Sequence, residues 1–398
     1  MVWKKRLPKL LAFGIVMLLM LQLVTFLLVK NDTATECHVR GFYREPDNTL
    51  DVAVIGCSEM YADYSPPLAY KYCGFTSYNL CTSGMPPCFY KSALKEFCKT
   101  QDPQVVVFEV NGFFYNEEFG LTEVNRRNWL DNIHLSKDWF DDVLDTAEPD
   151  ELLDYLLPIN KYHDNWQRPY GQYKRLKSIS KLYTENGVSL MKSFGTRTTN
   201  NSRIHTTKKR ALRLTDFGRE NLLDLMDYCK EQGMENVLFI RSPHRQKLAS
   251  ATSAELEKVI SEAGYTFIDC DKISKDIGID DAADYYNEDH MNVFGNEKFT
   301  KYLGEYIVEN YDLKTDHDEE TKKLWKECED YTVDAFKVLK ERTLTNEDLP
   351  YYETTDLGEE THEQLLKAEA NARKKLAERQ KQNGKAAPKA PDGGKPAK

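Results

Sequence analysis

Asp51-Val52-Ala53-Val54-Ile55-Gly56-Cys57-Ser58-Glu59-Met60 reads as a short buried strand, a glycine turn and the first residues of a helix. Open α/β sheets bind ligands at the carboxyl ends of their strands, and this stretch presents a hydroxyl there. A serine in such a place is either a helix cap or a nucleophile. A nucleophile needs a histidine to take its proton and a further group to fix that histidine's tautomer. Cys57 is expected to pack beneath the turn.

Phe75 to Leu80 is a second short strand, ending in the loop Cys81-Thr82-Ser83-Gly84-Met85-Pro86-Pro87. Val105-Val106-Val107-Phe108-Glu109-Val110 is the kind of apolar run that a parallel sheet buries on both faces. Between these strands, Pro66-Pro67 predicts a turn and then a short helix, and Phe89 to Cys98 has helical spacing. The rhythm returns late in the chain. Val237 to Ile240 and Tyr265 to Asp269 are strands, and helices around Leu222 to Cys229 and over Ala254 to Ala263 stop at Gly233 and Gly264. Glu297 to Val308 is a last amphipathic helix. Strand and helix in alternation imply an α/β fold with a doubly wound, mostly parallel sheet.

Three segments fall outside that rhythm. Cys37 to Asn48 reads as a polar lead-in. Residues 112–214 read as an insertion of helices and loops that caps the sheet's edge, with Lys174 to Lys209 polar, basic and without clear period. Residues 313–380 form a charged, partly helical extension, and 381–398 a disordered tail. From Arg373 to Lys398 there are nine Lys/Arg and two Asp/Glu.

Leu10 to Val29 holds 20 residues without a charge, enough to cross a bilayer. Lys4, Lys5, Arg6 and Lys9 precede it, so the expectation is an anchor in residues 1–30 with a cytoplasmic N-terminus. Residues 31–312 then form an extracytoplasmic α/β domain at the cell membrane. A cleaved signal peptide is the rival, but its apolar region is usually about 7–15 residues. The formal charge of −10 argues against nucleic acid as a partner. Nine cysteines would imply disulfides in an exported protein, yet none forms CxxC or a zinc-like spacing. No metal or cofactor is expected.

Eight histidines could supply the base. His290 stands in the loop after the last strand, where it could face the edge that presents Ser58. His244 follows the fourth strand and is either a ligand contact or a cap. Tyr162, His163 and Trp166 form a polar-aromatic cluster that either packs the cap or grips a sugar.

Gly56-Cys57-Ser58 after a first apolar strand, with His290 in a late loop, resembles the SGNH/GDSL hydrolase superfamily. Val54 to Tyr61, Ser77 to Leu80, Val105 to Glu109 and His290-Met291-Asn292 with Gly295 resemble its membrane-anchored envelope members. That group includes proteins like DltD and the alginate O-acetylation proteins. The resemblance covers Asp51 to Asn111 and about Asn236 to Ile307. The insertion matches only through Tyr162-His163 and Trp166. It implies an SGNH-like, flavodoxin-like strand order, Ser58 as nucleophile, His290 as base, and Gly84 and Asn111 as oxyanion donors. It also implies a serine O-acyltransferase or esterase acting on envelope glycopolymers, with an acyl donor and a membrane-bound O-acyltransferase as partners. There is one departure. The superfamily places an aspartate three residues before its histidine, where this chain has Asn287. Asp289 or Asp284 is the candidate substitute, and the alternative is an inactive scaffold of an acylation complex.

Overall fold

The computed structural model describes residues 2–29, 33–184, 189–198, 212–345, 350–352, 370 and 374. The predicted tail, the end of the charged extension and His205 lie outside them.

Helix α1 (Val2–Leu28) is long and apolar enough to cross a membrane over Arg6–Leu28, and none of that window is buried. It leads to α2 (Thr33–Phe42), then β1 (Val52–Gly56), α3 (Ser58–Asp63), α4 (Pro66–Cys73), β2 (Ser77–Cys81), α5 (Cys88–Phe97) and β3 (Val105–Glu109). A run of short helices follows: α6 (Glu117–Gly120), α7 (Glu123–Leu130), α8 (Lys137–Thr146), α9 (Leu152–Leu156) and α10 (Ile159–Tyr162). After these come α11 (Pro169–Thr184) and β4 (Gly195–Arg197). The alternation resumes with α12 (Asp216–Glu231), β5 (Val237–Arg241), α13 (Ser250–Glu262), β6 (Thr266–Asp269) and α14 (Val293–Asn310). Helix α15 (Glu319–Thr345) and β7 (Pro350–Tyr352), paired antiparallel with β4, are the last of these elements.

The main sheet has five strands, all parallel, in the order β2-β1-β3-β5-β6. Counted within the sheet this is 2-1-3-4-5, an order whose ligand crevice lies at the carboxyl ends of β1 and β3. Strand periodicity sends alternate side chains to opposite faces. Ala53 and Ile55 pack with Phe89, Leu94, Leu225 and Ile260 from α5, α12 and α13. Val52 and Val54 pack on the other face with Met60, Phe299, Leu303 and Ile307 from α3 and α14. All five residues of β1 are buried, which is why the strand reads as an unbroken apolar run.

Two expectations need correction. Cys37 to Asn48 is not a polar lead-in. Its first part belongs to α2, and Cys37, Val39 and Phe42 are buried because Val39 and Phe42 join the core beside Tyr78. The aperiodic stretch from Lys174 begins inside a helix, α11, held to α2 by Arg175, which meets both carboxylate oxygens of Glu36 at 2.7 Å. All nine cysteines are free thiols, six of them buried, where thiols act as small apolar side chains.

Candidate active site

β1 delivers its chain end at the centre of the sheet. Gly56 is needed there because a Cβ at that position would lie 2.6 Å from Glu109 Cβ on β3. Cys57 is the residue before α3; its thiol donates to Met85 O at 3.4 Å and meets Tyr90 Oη at 3.3 Å, packed below the turn. Ser58 is the first residue of α3, and the helix end has no side-chain cap. The hydroxyl is therefore free of capping duty. Ser58 Oγ lies 2.8 Å from His290 Nε2 and 3.3 Å from Glu59 Oε2.

His290 is carried by a loop that several contacts fix. Tyr286 N–H donates to His290 O at 3.1 Å, Tyr285 and Met291 form a β-bridge, and Met291 N–H donates to Asp63 Oδ1 at 2.8 Å. The Tyr286 ring stacks on the imidazole with centroids 5.3 Å apart. Asp63 also accepts the Ser242 hydroxyl at 2.6 Å, so one buried carboxyl ties α3, the β5 loop and the histidine loop together.

Asn287 settles the tautomer. Its Oδ1 accepts the backbone N–H of Asp289 at 2.9 Å and of His290 at 2.8 Å. Two N–H donors fix which amide atom is oxygen, and that oxygen lies 3.0 Å from His290 Nδ1. Nδ1 must then carry the proton, leaving Nε2 as the lone-pair base facing Ser58. Burial pushes the His290 pKa down to about 4, against a smaller upward pull from Asp289. The imidazole is neutral at physiological pH, ready to accept a proton but reluctant to keep it.

Neither carboxylate proposed in Asn287's stead takes its position. Asp284 Oδ2 is engaged by Lys298 Nζ at 2.6 Å and by Asp280 N–H at 2.7 Å. Asp289 acts on His290 only by charge, and burial together with Glu59 raises its own pKa.

The oxyanion candidates sit at the neighbouring strand ends. Gly84 follows β2 with φ +62°, a left-handed turn, and a side chain there would strike Asn125. Asn111 follows β3 and is clamped on both sides: Oδ1 accepts from Arg241, and Nδ2 donates to His244 Nε2 at 2.8 Å. His244 can accept because its Nδ1 donates to Ser242 O at 2.6 Å and burial, then Arg241, hold its pKa down at about 3. An Asn111 side-chain hydrogen bond is one of the smaller influences that oppose the burial-driven rise of the Glu59 pKa.

The sequence reading missed five titratable groups here. Arg241, fully buried at the end of β5, pairs with Asp271 at 2.7 Å. Glu59, Glu109 and Asp63 are buried carboxyls whose pKa values burial raises, and Glu109 Oε2 has no hydrogen-bond partner. The signal was present in the acidic residue that closes the apolar run of β3 and the arginine that closes β5. Among the described residues, Cys57, Glu59 and Glu109 are one group whose ligand atoms, within 4.8 Å of one another, could hold a cation. Burial favours the protonated form of all three, which suits a proton-sharing cluster better than a cation site.

The Tyr162, His163 and Trp166 cluster is not one unit. Tyr162 is buried and donates its hydroxyl to Asp131, with the Arg127 guanidinium 5.5 Å from its ring. His163 bonds Asn160 O at 2.8 Å on the surface, and Trp166 is 67% exposed. Their segment packs against α1, in keeping with the packing alternative for Tyr162. No protein-family model, curated protein or solved structure matches this chain.

Proposed function

We propose that the chain is a membrane-anchored, SGNH-like serine O-acyltransferase or esterase whose α/β domain lies outside the cytoplasm and acts on envelope glycopolymers. The observation that carries this reading is the Ser58–His290–Asn287 relay, with 2.8 Å and 3.0 Å hydrogen bonds and a single consistent tautomer. The 2-1-3-4-5 strand order and the position of Asn111 at the end of β3 also support it.

Ser58 Oγ attacks an acyl ester carbonyl and passes its proton to His290 Nε2. Asn111 and the Gly84 N–H hold the oxyanion. Collapse expels the alcohol, which takes the proton from His290 and leaves an acyl-Ser58 ester. A sugar hydroxyl or water then gives its proton to His290, attacks the ester and regenerates Ser58. Asn287 Oδ1 orients the ring throughout but supplies no full negative charge to the imidazolium. A membrane-bound O-acyltransferase is the partner that would present the acyl donor.

The pH profile follows from the buried histidine. The base form exists above its pKa, so kcat/KM holds as pH falls through 6.5 and drops only near the value of about 4 held by burial. Asn287→Asp brings a negative charge to Nδ1 and moves that drop upward by about 1–3 pH units, since an opposite charge shifts a pKa by about that much, and it raises the plateau. A drop near 6.5 in the parent chain contradicts the buried-base assignment.

Incubating the full chain in detergent micelles with an O-acetylated glycan tests the function. Acetate release or transfer that is lost in His290→Ala supports it, and no turnover above buffer sinks it. That negative result would favour a second reading, a non-catalytic scaffold in a membrane acylation complex, for which Asn287 in place of an aspartate is the specific support.

A further inference from the structure

The insertion carries an exposed apolar surface whose position relative to α1 is fixed by hydrogen bonds. The uncharged stretch Leu10–Val29 is about as long as a hydrocarbon core, which takes about 20 residues of helix, so with Arg6 and Lys9 at one boundary the last turn of α1 lies at the other. Three side chains from the insertion grip that turn. Arg175 Nη1 donates to Phe26 O at 2.6 Å, Asn165 Nδ2 to Leu28 O at 2.9 Å, and Gln172 Nε2 to Leu28 O at 3.5 Å. These are last-turn carbonyls with no partner inside their own helix. The Arg175 guanidinium also lies 5.2 Å from the Phe26 ring, and its buried pair with Glu36 extends the grip into α2.

The segment from α9 to α11 is thus held at the depth of the lipid headgroups. Leu153, Leu156, Trp166, Tyr170 and Tyr173 on it are 53–69% exposed. Trp and Tyr concentrate at membrane–water interfaces, where an apolar ring and a polar edge are both accommodated. Trp166 and Tyr170 lie between Asn165 and Gln172, which bind the end of α1.

We propose that residues 152–173 form an interfacial pad that docks on the bilayer leaflet containing the C-terminal end of α1. The pad holds the α/β domain against the membrane instead of letting it swing from its anchor. The occupant is lipid, because the surface is continuous with the grip on a membrane-crossing helix. The assignment does not require Ser58 to be catalytic.

The test uses the full chain in vesicles of phosphatidylcholine and phosphatidylglycerol, with bromine on the acyl chains close to the headgroup. Tryptophan emission is compared between the parent and Trp166→Phe. Trp129, Trp139 and Trp325 are buried and remain in both proteins, as does Trp3. The pad predicts that Trp166→Phe removes a bromolipid-quenched component and leaves iodide quenching from the water unchanged. Loss of an iodide-quenched component with bromolipid quenching unaltered places Trp166 in water and overturns the proposal. Loss of a component that neither quencher reaches means that protein, such as a second copy, covers the site, and also overturns it.

Discussion

Ser58→Ala is expected to lower turnover of an acyl ester by about 10⁴- to 10⁶-fold, the range seen when a catalytic serine is removed from a relay that works as a unit. The fold should survive the change. Ser58 is half-buried, its hydroxyl caps no helix, and its hydrogen bonds run only to His290 and Glu59. Activity and stability are therefore separable at this position. The check is turnover measured beside the thermal unfolding midpoint. Retained turnover would mean that the hydroxyl is a bystander to whatever chemistry the crevice performs.

Arg241→Leu should have the largest effect on stability. The guanidinium is buried and satisfies three partners: Asp271 at 2.7 Å, Asn111 Oδ1, and Gln246 O at 3.1 Å. Burial works to raise the Asp271 pKa, but Arg241 and then His244 outweigh it and keep the carboxyl below its ordinary range. Without Arg241 that carboxylate stays buried with only the His244 and Leu248 backbone N–H groups and no counter-charge, and breaking a buried pair in this way costs about 3–5 kcal/mol. A domain stable by about 5–15 kcal/mol loses a large share of its margin. Asn111 also loses the contact that orients its amide. Denaturant unfolding at neutral pH measures the loss, and a midpoint equal to that of the parent contradicts the pairing. Lys at this position should rescue only part, because it cannot reproduce the fork that meets Asp271 and Asn111 together.

The sheet was legible because four of its five strands, β1, β2, β3 and β5, are buried on both faces. Val52 to Ile55 and Val105 to Phe108 needed no partner to be recognised as strands. Ser58 and His290 were legible for a related reason: each follows or closes a recognisable element at the same edge. The amide orientation of Asn287 was not legible. It depends on two backbone N–H groups in a tight loop, a feature of geometry and not of composition.

The misreadings share a cause. Cys37 to Asn48 reads as polar by composition, but its first part continues α2, where Arg175, 139 positions after Glu36, pairs with that carboxylate and lets the helix be buried. Asp284 looked like a substitute partner for His290, yet Lys298 on α14 had already engaged it. Arg241 and Asp271 are likewise 30 positions apart. Buried charge is stabilised by partners remote in sequence, and a linear reading has no means of pairing them. The surroundings of Tyr162 to Trp166 were not legible for the same reason, because the contact with α1 that sets them also spans more than a hundred positions.

The central claim is that Ser58 is a nucleophile activated by His290. It is met most directly by treating the full chain with a fluorophosphonate and mapping the adduct by peptide mass. One covalent label on Ser58, formed by the parent and greatly slowed in His290→Ala, is the predicted result. A folded protein that stays unlabelled, or that is labelled on another residue, contradicts it.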